Sequence, residues 1–294
     1  MIKLLIAGIL LHISTLAYGD SVGGGVIWSD DSDGNTTTRV SANALYKSKY
    51  GVSVTDITIN TPVVSGRGNS VEAVINDSYG IVSLNGTAGI GQVNNNQFFV
   101  GDMTANVAVT KRVLLSGSVY GDIVDSTNGI INNVSFRGVL AGGEYTGDSW
   151  GVSGNYRLTE YSNNNNATGI FGKLYYNVAN GIAVFGTVKH TDHSLPNNGD
   201  FWSPQKYERN GLGVSARYRY ENLLGYASFD HGQAKIINGG VTDTQTSTII
   251  KLGGSVKISK ALVGIQATNE SDHIPNSDNY NFISIAATVS YSLD

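Results

Sequence analysis

Two Asp-His dipeptides are the residues of this chain whose types and spacing could do acid–base chemistry. They are Asp192-His193 and Asp230-His231. A carboxylate beside an imidazole is the core of many hydrolytic sites, because the acid orients the base. Consecutive side chains of a β-strand point to opposite faces, so neither pair is well placed to hydrogen-bond to itself. The sequence therefore predicts no catalytic residues, and an enzyme that depends on His193 or His231 stays open as an alternative.

An acidic cluster near the N-terminus, Asp30, Asp31 and Asp33, could bind a divalent cation. Aspartate is also common in turns, where its side chain bonds to the backbone, and we expect a turn and no metal site. The chain has no cysteine, which excludes disulfides and thiolate chemistry. It has no phosphate-binding loop, so no cofactor is predicted. The net charge of −4 does not indicate nucleic-acid binding.

The stretch 148–161 indicates the kind of element that positions the polar side chains. Its apolar face contains Trp150, Val152, Gly154, Tyr156 and Leu158, and its polar face contains Gly151, Ser153, Asn155, Arg157 and Thr159. A period of two predicts a strand. A strand with lipid on one face and water on the other implies a closed transmembrane barrel. The pattern recurs along the chain and predicts an all-β, antiparallel up-and-down barrel of about sixteen strands.

The N-terminus has the pattern of a secretory signal. Lys3 precedes a mostly apolar stretch from Leu4 to Leu16, and Ala17-Tyr18-Gly19 supplies small residues at the usual cleavage spacing. The whole chain contains 37 glycines and 14% charged residues, whereas soluble domains have about 25% charged residues. We therefore predict a signal peptide over residues 1–19 and a bacterial outer-membrane β-barrel, embedded in outer-membrane lipid, over residues 20–294.

The connections between the predicted strands alternate in length. Those after even-numbered strands are tight turns, whereas longer segments follow odd-numbered strands at 61–68, 125–132, 162–166, 192–205, 234–244 and 270–279. Outer-membrane barrels have short periplasmic turns and longer outer loops. All prolines, which are Pro62, Pro196, Pro204 and Pro275, fall in these longer segments, as expected for a residue that cannot donate to a ladder. Aromatic side chains near the opposite strand ends predict an interfacial girdle: Tyr46, Trp150, Tyr176, Tyr218, Tyr220 and Tyr291.

The predicted lumen is the surface most suited to binding a solute. Alternate residues of a strand share a face, and this rule, here called parity, places charged and aromatic candidates inside: Asp102, Asp122, Arg157, Lys173, Tyr175, Phe185, Arg217, Arg219, Tyr226 and Asp230. The same rule adds Arg137, Lys189, Arg209, Lys251, Lys257, Phe171 and Tyr207. Aromatic faces stack on sugar C–H groups, and charged groups hydrogen-bond to hydroxyls. Any barrel interior is polar, however, and the register of 51–79 is open, with a bulge near Asp56 as one alternative.

One loop is specific enough to suggest a family. It reads Phe201, Trp202, Ser203, Pro204, Gln205, Lys206 and Tyr207. This segment resembles the aromatic-aromatic-Ser-Pro-Gln-x-Tyr segment in the C-terminal barrel of the cellulose synthase operon protein C family, with the resemblance extending over about residues 180–232. The resemblance implies an outer-membrane exopolysaccharide exporter. Pro204 would stiffen the loop, while Trp202 and Tyr207 would let it fold back onto the barrel.

The resemblance also implies partners. Members of that family carry periplasmic helical repeats before the barrel, whereas here the barrel follows the signal directly, so a helical-repeat protein or synthase complex is expected to act in trans. The leading hypothesis is a passive outer-membrane pore for exopolysaccharide export, without enzymatic activity. The alternative is a small-solute porin or a surface receptor for phage or host.

Overall fold

The computed structural model describes residues 21–196, 199–273 and 280–293, and in it the chain forms one closed antiparallel barrel of sixteen strands. Each strand pairs with its neighbours in sequence, and β1 closes the barrel against β16. The strands are β1 (Ser21–Asp31), β2 (Thr36–Tyr46), β3 (Tyr50–Asn60), β4 (Ser65–Tyr79), β5 (Val82–Val93), β6 (Asn96–Ala108), β7 (Val113–Ile123), β8 (Ser135–Thr146), β9 (Trp150–Tyr161), β10 (Asn166–Ala179), β11 (Ile182–His193), β12 (Lys206–Tyr220), β13 (Leu223–Asn238), β14 (Val241–Ile258), β15 (Ala261–His273) and β16 (Tyr280–Ser292). A short helix, α1 (Thr127–Ile131), lies between β7 and β8.

The two faces of β9 show why the chain closes into a barrel. Trp150, Val152 and Leu158 are each more than two-fifths exposed on the outside, whereas Thr159 is buried on the inside. Apolar side chains face outward in every sector of this closed wall. Such a surface is favourable in lipid and unfavourable in water. The predicted strand pattern and the predicted barrel are thus confirmed. No helix among the described residues is long and apolar enough to cross a membrane.

The ends of the barrel differ as the sequence predicted. We call the end with the longer connections the outer end and the opposite end the periplasmic end. Pro62, Pro196 and Pro204 lie in outer connections, whereas Pro275 and the predicted signal peptide fall outside the described residues. The predicted girdle side chains are all exposed near periplasmic strand ends: Tyr46, Trp150, Tyr176, Tyr218, Tyr220 and Tyr291.

Some predicted boundaries and orientations are wrong. The predicted loop 234–244 continues as β13 and β14, which meet at Gly239 and Gly240 with φ values of 56° and 83°. β3 pairs with both neighbours without interruption, so there is no bulge near Asp56, and an irregularity instead lies in β10 between residues 177 and 179. Arg137 faces outward in an ion pair with Glu160 of 3.1 Å.

An apolar cluster fills part of the lumen at the outer end. Inward-facing side chains of β3, β5 and β6 pack with the end of β7 and with Ile130 of α1, forming the cluster Ile57, Ile59, Val93, Phe98, Val100, Ile123 and Ile130. The connection that carries α1 therefore folds inward over β3–β6 instead of extending into solvent. The interior is therefore apolar in this sector, whereas a cavity lined by polar and aromatic side chains lies beside β8 and β10–β13.

Candidate functional site

In each Asp-His pair the two side chains lie on opposite faces of the barrel wall. Asp230 is buried and faces inward, whereas His231 faces outward, stacks on Phe229 at 6.2 Å and has its Nδ1 3.0 Å from the hydroxyl of Thr248. Asp192 contacts Nε2 of His190 at 2.6 Å. Neither aspartate contacts the histidine that follows it among these hydrogen bonds, as strand geometry predicts.

The acidic cluster forms a turn. The carboxylate of Asp31 accepts hydrogen bonds from the backbone N–H groups of Asp33 at 3.0 Å and Asn35 at 2.9 Å, and from the side-chain amide of Asn35 at 3.0 Å. Burial, and then the nearby Asp31 carboxylate, raise the pKa of Asp33 above its usual value. This bonding is typical of an aspartate turn. The described residues contain no group of three or more metal-binding side chains.

Two of the predicted lumen carboxylates are already paired within the protein. Asp230 forms an ion pair of 2.9 Å with Arg209, whose side chain is 3% exposed, and also accepts a hydrogen bond of 2.9 Å from Thr187. Asp122 forms an ion pair of 2.8 Å with Arg39 of β2. Asp122 therefore links β7 to the distant β2, and Asp230 links β13 to β12 and β11. Both carboxylates are less suited to binding a solute than the sequence predicted.

Other candidates line one cavity in the lumen near the periplasmic end. The cavity has a volume of about 480 Å³ and is bordered by Lys173, Tyr175, Arg217 and Tyr226, together with Glu144. These side chains come from β8, β10, β12 and β13, and only closure of the sheet brings them together. Asp102 and Arg219 also face inward and are exposed, and Arg157 is partly exposed. Their contact with a solute stays a prediction.

Inward aromatic rings lie flat against glycines of the adjacent strand. A Cβ atom built on Gly151 would be 2.3 Å from the ring of Tyr175, and one on Gly253 would be 2.4 Å from the ring of Tyr226. Each ring and its glycine are direct cross-strand partners, and the same arrangement holds for Tyr120 with Gly138, Phe185 with Gly213 and Phe98 with Gly91. The missing side chain lets each ring cover the wall without blocking the lumen.

Phe185 differs from the tyrosines in its exposure. Its ring is 7% exposed and is covered by the ammonium group of Lys173 at 4.1 Å. A cation over an aromatic face is a stabilising contact. We therefore assign Phe185 to packing of the wall and to positioning of Lys173, whereas the sequence predicted that it faces the solute.

A row of aromatic side chains follows the inner wall toward the outer end. Tyr120 lies 6.4 Å from Phe136, which lies 5.9 Å from Tyr161, which stacks on Phe201 at 4.4 Å. All of these rings are partly exposed. The sequence prediction included only Phe201. Parity on β7 and β9 could have found Tyr120 and Tyr161, which share the inner face with the predicted Asp122 and Arg157. On β8 the wrong inward placement of Arg137 put its neighbour Phe136 on the outer face.

Comparisons with known proteins bear on the fold. No protein-family profile and no curated protein matches the chain. Among solved structures, it is similar to a bacterial polysaccharide outer membrane secretin, with a TM-score of 0.68 and 9% identity over 94% of this chain and 99% of that chain. It is also similar to OccK5 of Pseudomonas aeruginosa, with a TM-score of 0.49 and 8% identity over 93% of this chain and 98% of that chain. For OprD of the same organism, the TM-score is 0.45 with 8% identity over 93% of this chain and 95% of that chain.

The closed wall and the apolar exterior, together with the fold shared with the secretin barrel, decide the class. The protein is a bacterial outer-membrane β-barrel. Its predicted localisation is thus confirmed, and its interior is the surface left for a solute.

The segment 201–207 anchors an outer loop of the barrel. Ser203 and Pro204 are almost fully buried, and the backbone carbonyl of Pro204 lies 2.9 Å from Nδ1 of His193. Trp202 contacts the edge of the Tyr207 ring at 5.5 Å but is itself 61% exposed. Ser203 and Pro204 therefore pack this loop onto the barrel, and a role of the motif in binding a solute stays a prediction.

Asp200 ties the same loop to two neighbouring outer connections. Its carboxylate accepts hydrogen bonds of 2.6 Å from the side chain of Asn132 and 2.7 Å from that of Asn163. Asn128 of α1 donates to the backbone carbonyl of Gly199 at 2.6 Å. The connections after β7, β9 and β11 thus form one hydrogen-bonded rim at the outer end.

Replacing Phe201 by alanine is expected to loosen this loop. The change removes the stacking on Tyr161, a contact of the kind that contributes about 0.5–1.5 kcal/mol, so cleavage by an added protease should be about threefold to tenfold faster. Limited proteolysis of the folded barrel in detergent measures this rate. Trp202→Ala is the matched control, because that ring is mostly exposed; equal cleavage of both variants would contradict the anchoring role of Phe201.

Proposed function

We propose that this barrel is a passive outer-membrane conduit for an exopolysaccharide. The observation that carries the proposal is the row Tyr120, Phe136, Tyr161 and Phe201, which lines the inner wall toward the outer end. Ring faces at successive positions suit a chain of pyranose units, because each ring can stack on sugar C–H groups. The cavity lined by Tyr175, Tyr226 and charged side chains continues this polar and aromatic surface at the periplasmic end.

The proposed conduit performs no chemistry. A hydrated polar chain cannot cross hydrocarbon without losing its hydrogen bonds with water, at a cost of several kcal/mol for each group. A water-filled lumen removes this cost, so directional movement must be driven by synthesis elsewhere. The resemblance of the 201–207 segment to exopolysaccharide exporters supports such an assignment, with a periplasmic helical-repeat protein or a synthase complex as the partner in trans.

Single-channel recording in planar bilayers tests the proposal. We expect a steady conductance that falls reversibly when oligosaccharides, neutral or acidic, are added. Tyr161→Ala together with Phe136→Ala should weaken the block by roughly 0.5–1.5 kcal/mol for each ring. Tyr156→Ala is the matched control, since that ring faces outward and is 46% exposed. A barrel that carries no current would refute the conduit.

The outer rim favours a second candidate, a small-solute porin or a surface receptor. The connections joined through Asp200 and the inward-folded α1 reduce the opening at the outer end, and Trp202 is exposed there. Ion conductance that no oligosaccharide blocks would favour the porin. Binding of a phage or host surface without conductance, abolished by Trp202→Ala, would favour the receptor.

A further inference from the structure

Basic side chains concentrate on one arc of the lumen. Inward positions of β9, β10, β12 and β14 carry Arg157, Lys173, Arg217, Arg219, Lys251 and Lys257. Within the described residues none of these forms an ion pair. All are exposed or partly exposed, and, because their strands line the interior, they face its water. The arc therefore presents positive charge that the protein itself does not neutralise.

Most of the carboxylates near this arc are occupied. The exceptions are Glu270 of β15, which strand pairing places on the inner face, and Asp102 of β6, and neither forms an ion pair among the described residues. Asp230, which lies on the same arc, is buried in its ion pair with Arg209. Glu144 borders the same cavity as Lys173, and it accepts hydrogen bonds from Tyr175 and Thr146, both 3.3 Å long. On the other side of the lumen, Asp122 is paired with Arg39, and Glu72 is buried and bonded to Ser70 and Thr87.

We infer that the solute of this lumen is an acidic glycan, a sugar polymer that carries carboxylate groups. This inference rests on the proposed conduit and specifies its substrate class. Guanidinium and ammonium groups bind carboxylates through charge-assisted hydrogen bonds, while the aromatic row supplies stacking surfaces for the sugar rings. A passage lined by one sign of charge between low-dielectric walls also concentrates the opposite ion, by about tenfold or more.

The test measures the ion selectivity of the barrel and the block of its current by oligosaccharides in planar bilayers. The salt is about 0.1 M KCl, where the Debye screening length is about 10 Å. In a salt gradient the reversal potential of the wild-type barrel should show preference for chloride. An oligogalacturonate should block the current at about tenfold lower concentration than a malto-oligosaccharide of equal length. The variant Lys173→Gln, Arg217→Gln, Lys251→Gln should lose both preferences. It should still fold, because Arg217 and Lys251 are exposed, Lys173 is partly exposed, and none of the three forms an ion pair among the described residues.

A matched variant removes the same charge from the outside of the barrel: Arg67→Gln, Arg137→Gln, Lys235→Gln. Parity and cross-strand pairing place all three side chains on the outward face, so this variant should keep the wild-type preferences. A conducting barrel that prefers potassium, or that both oligomers block equally, overturns the acidic-glycan inference and leaves the conduit standing. Loss of preference in both variants overturns the role of the arc, and a barrel without current refutes the conduit and this inference together.

Discussion

Replacing Arg209 by methionine is expected to lower the free energy of unfolding by about 3–5 kcal/mol, because it would leave a buried carboxylate without its partner. Arg209 is 3% exposed; it donates to Asp230 at 2.9 and 3.2 Å and to the hydroxyl of Ser247 at 2.7 Å. This cluster links β12 to β13 and β14 at their inner faces. Urea titration of the barrel refolded into phospholipid vesicles, followed by tryptophan fluorescence, measures the change.

Two control variants distinguish the effect of losing the ion pair from the effect of losing an arginine side chain. Arg209→Met combined with Asp230→Leu should recover most of the stability, since a buried ion pair can often be replaced by apolar residues at little cost. Arg157→Met should change stability little, because Arg157 faces the lumen without an ion pair among the described residues. If Arg209→Met costs no more than Arg157→Met, the pair does not stabilise the wall.

Gly253→Ala is expected to reduce single-channel conductance to roughly half, because a ring would move from the wall into the water-filled lumen. The new Cβ would be 2.4 Å from the ring of Tyr226, and its three nearest atoms all belong to that side chain. We expect the ring to move toward the lumen, because Tyr226 borders the cavity there and the wall lies behind it. Overpacking should also cost about 1–3 kcal/mol of stability. Recordings in planar bilayers measure the conductance.

The prediction for Gly253→Ala has a matched control variant and a rescue variant. Gly225→Ala adds the same methyl group on β13 at a position where a Cβ meets nothing within 4 Å, so conductance should not change. Combining Gly253→Ala with Tyr226→Ala removes the displaced ring and should restore the wild-type conductance or exceed it. Equal conductance of the two single variants would show that Tyr226 does not depend on Gly253 for its position.

The sequence alone determined which face meets lipid for most membrane-spanning strands, although it left the register of 51–79 open and placed Arg137 of β8 inside. Along β9 and β10 the lipid-facing residues Trp150 and Leu174 alternate with the lumen-facing residues Arg157 and Lys173, because lipid and water demand opposite side chains on successive residues. The pattern fails beyond the membrane. In 234–244 the outer face no longer meets lipid, while Ala234 and Ile236 are buried on the inner face beside Tyr207. The adjacent residues Ile236 and Ile237 gave no alternation, although the β13–β14 ladder continues there.

Only the tertiary structure decided which inward residues meet one another. Parity placed Asp230 and Arg209 in the lumen but gave neither their relative height nor the register that pairs them. The same holds for Tyr226 over Gly253 and for Phe201 on Tyr161. A period of two specifies a face and nothing about position along the barrel axis, whereas register and closure depend on backbone pairing between strands. The basic arc could therefore be identified only from the closed barrel, which shows which inward charges form ion pairs and which do not.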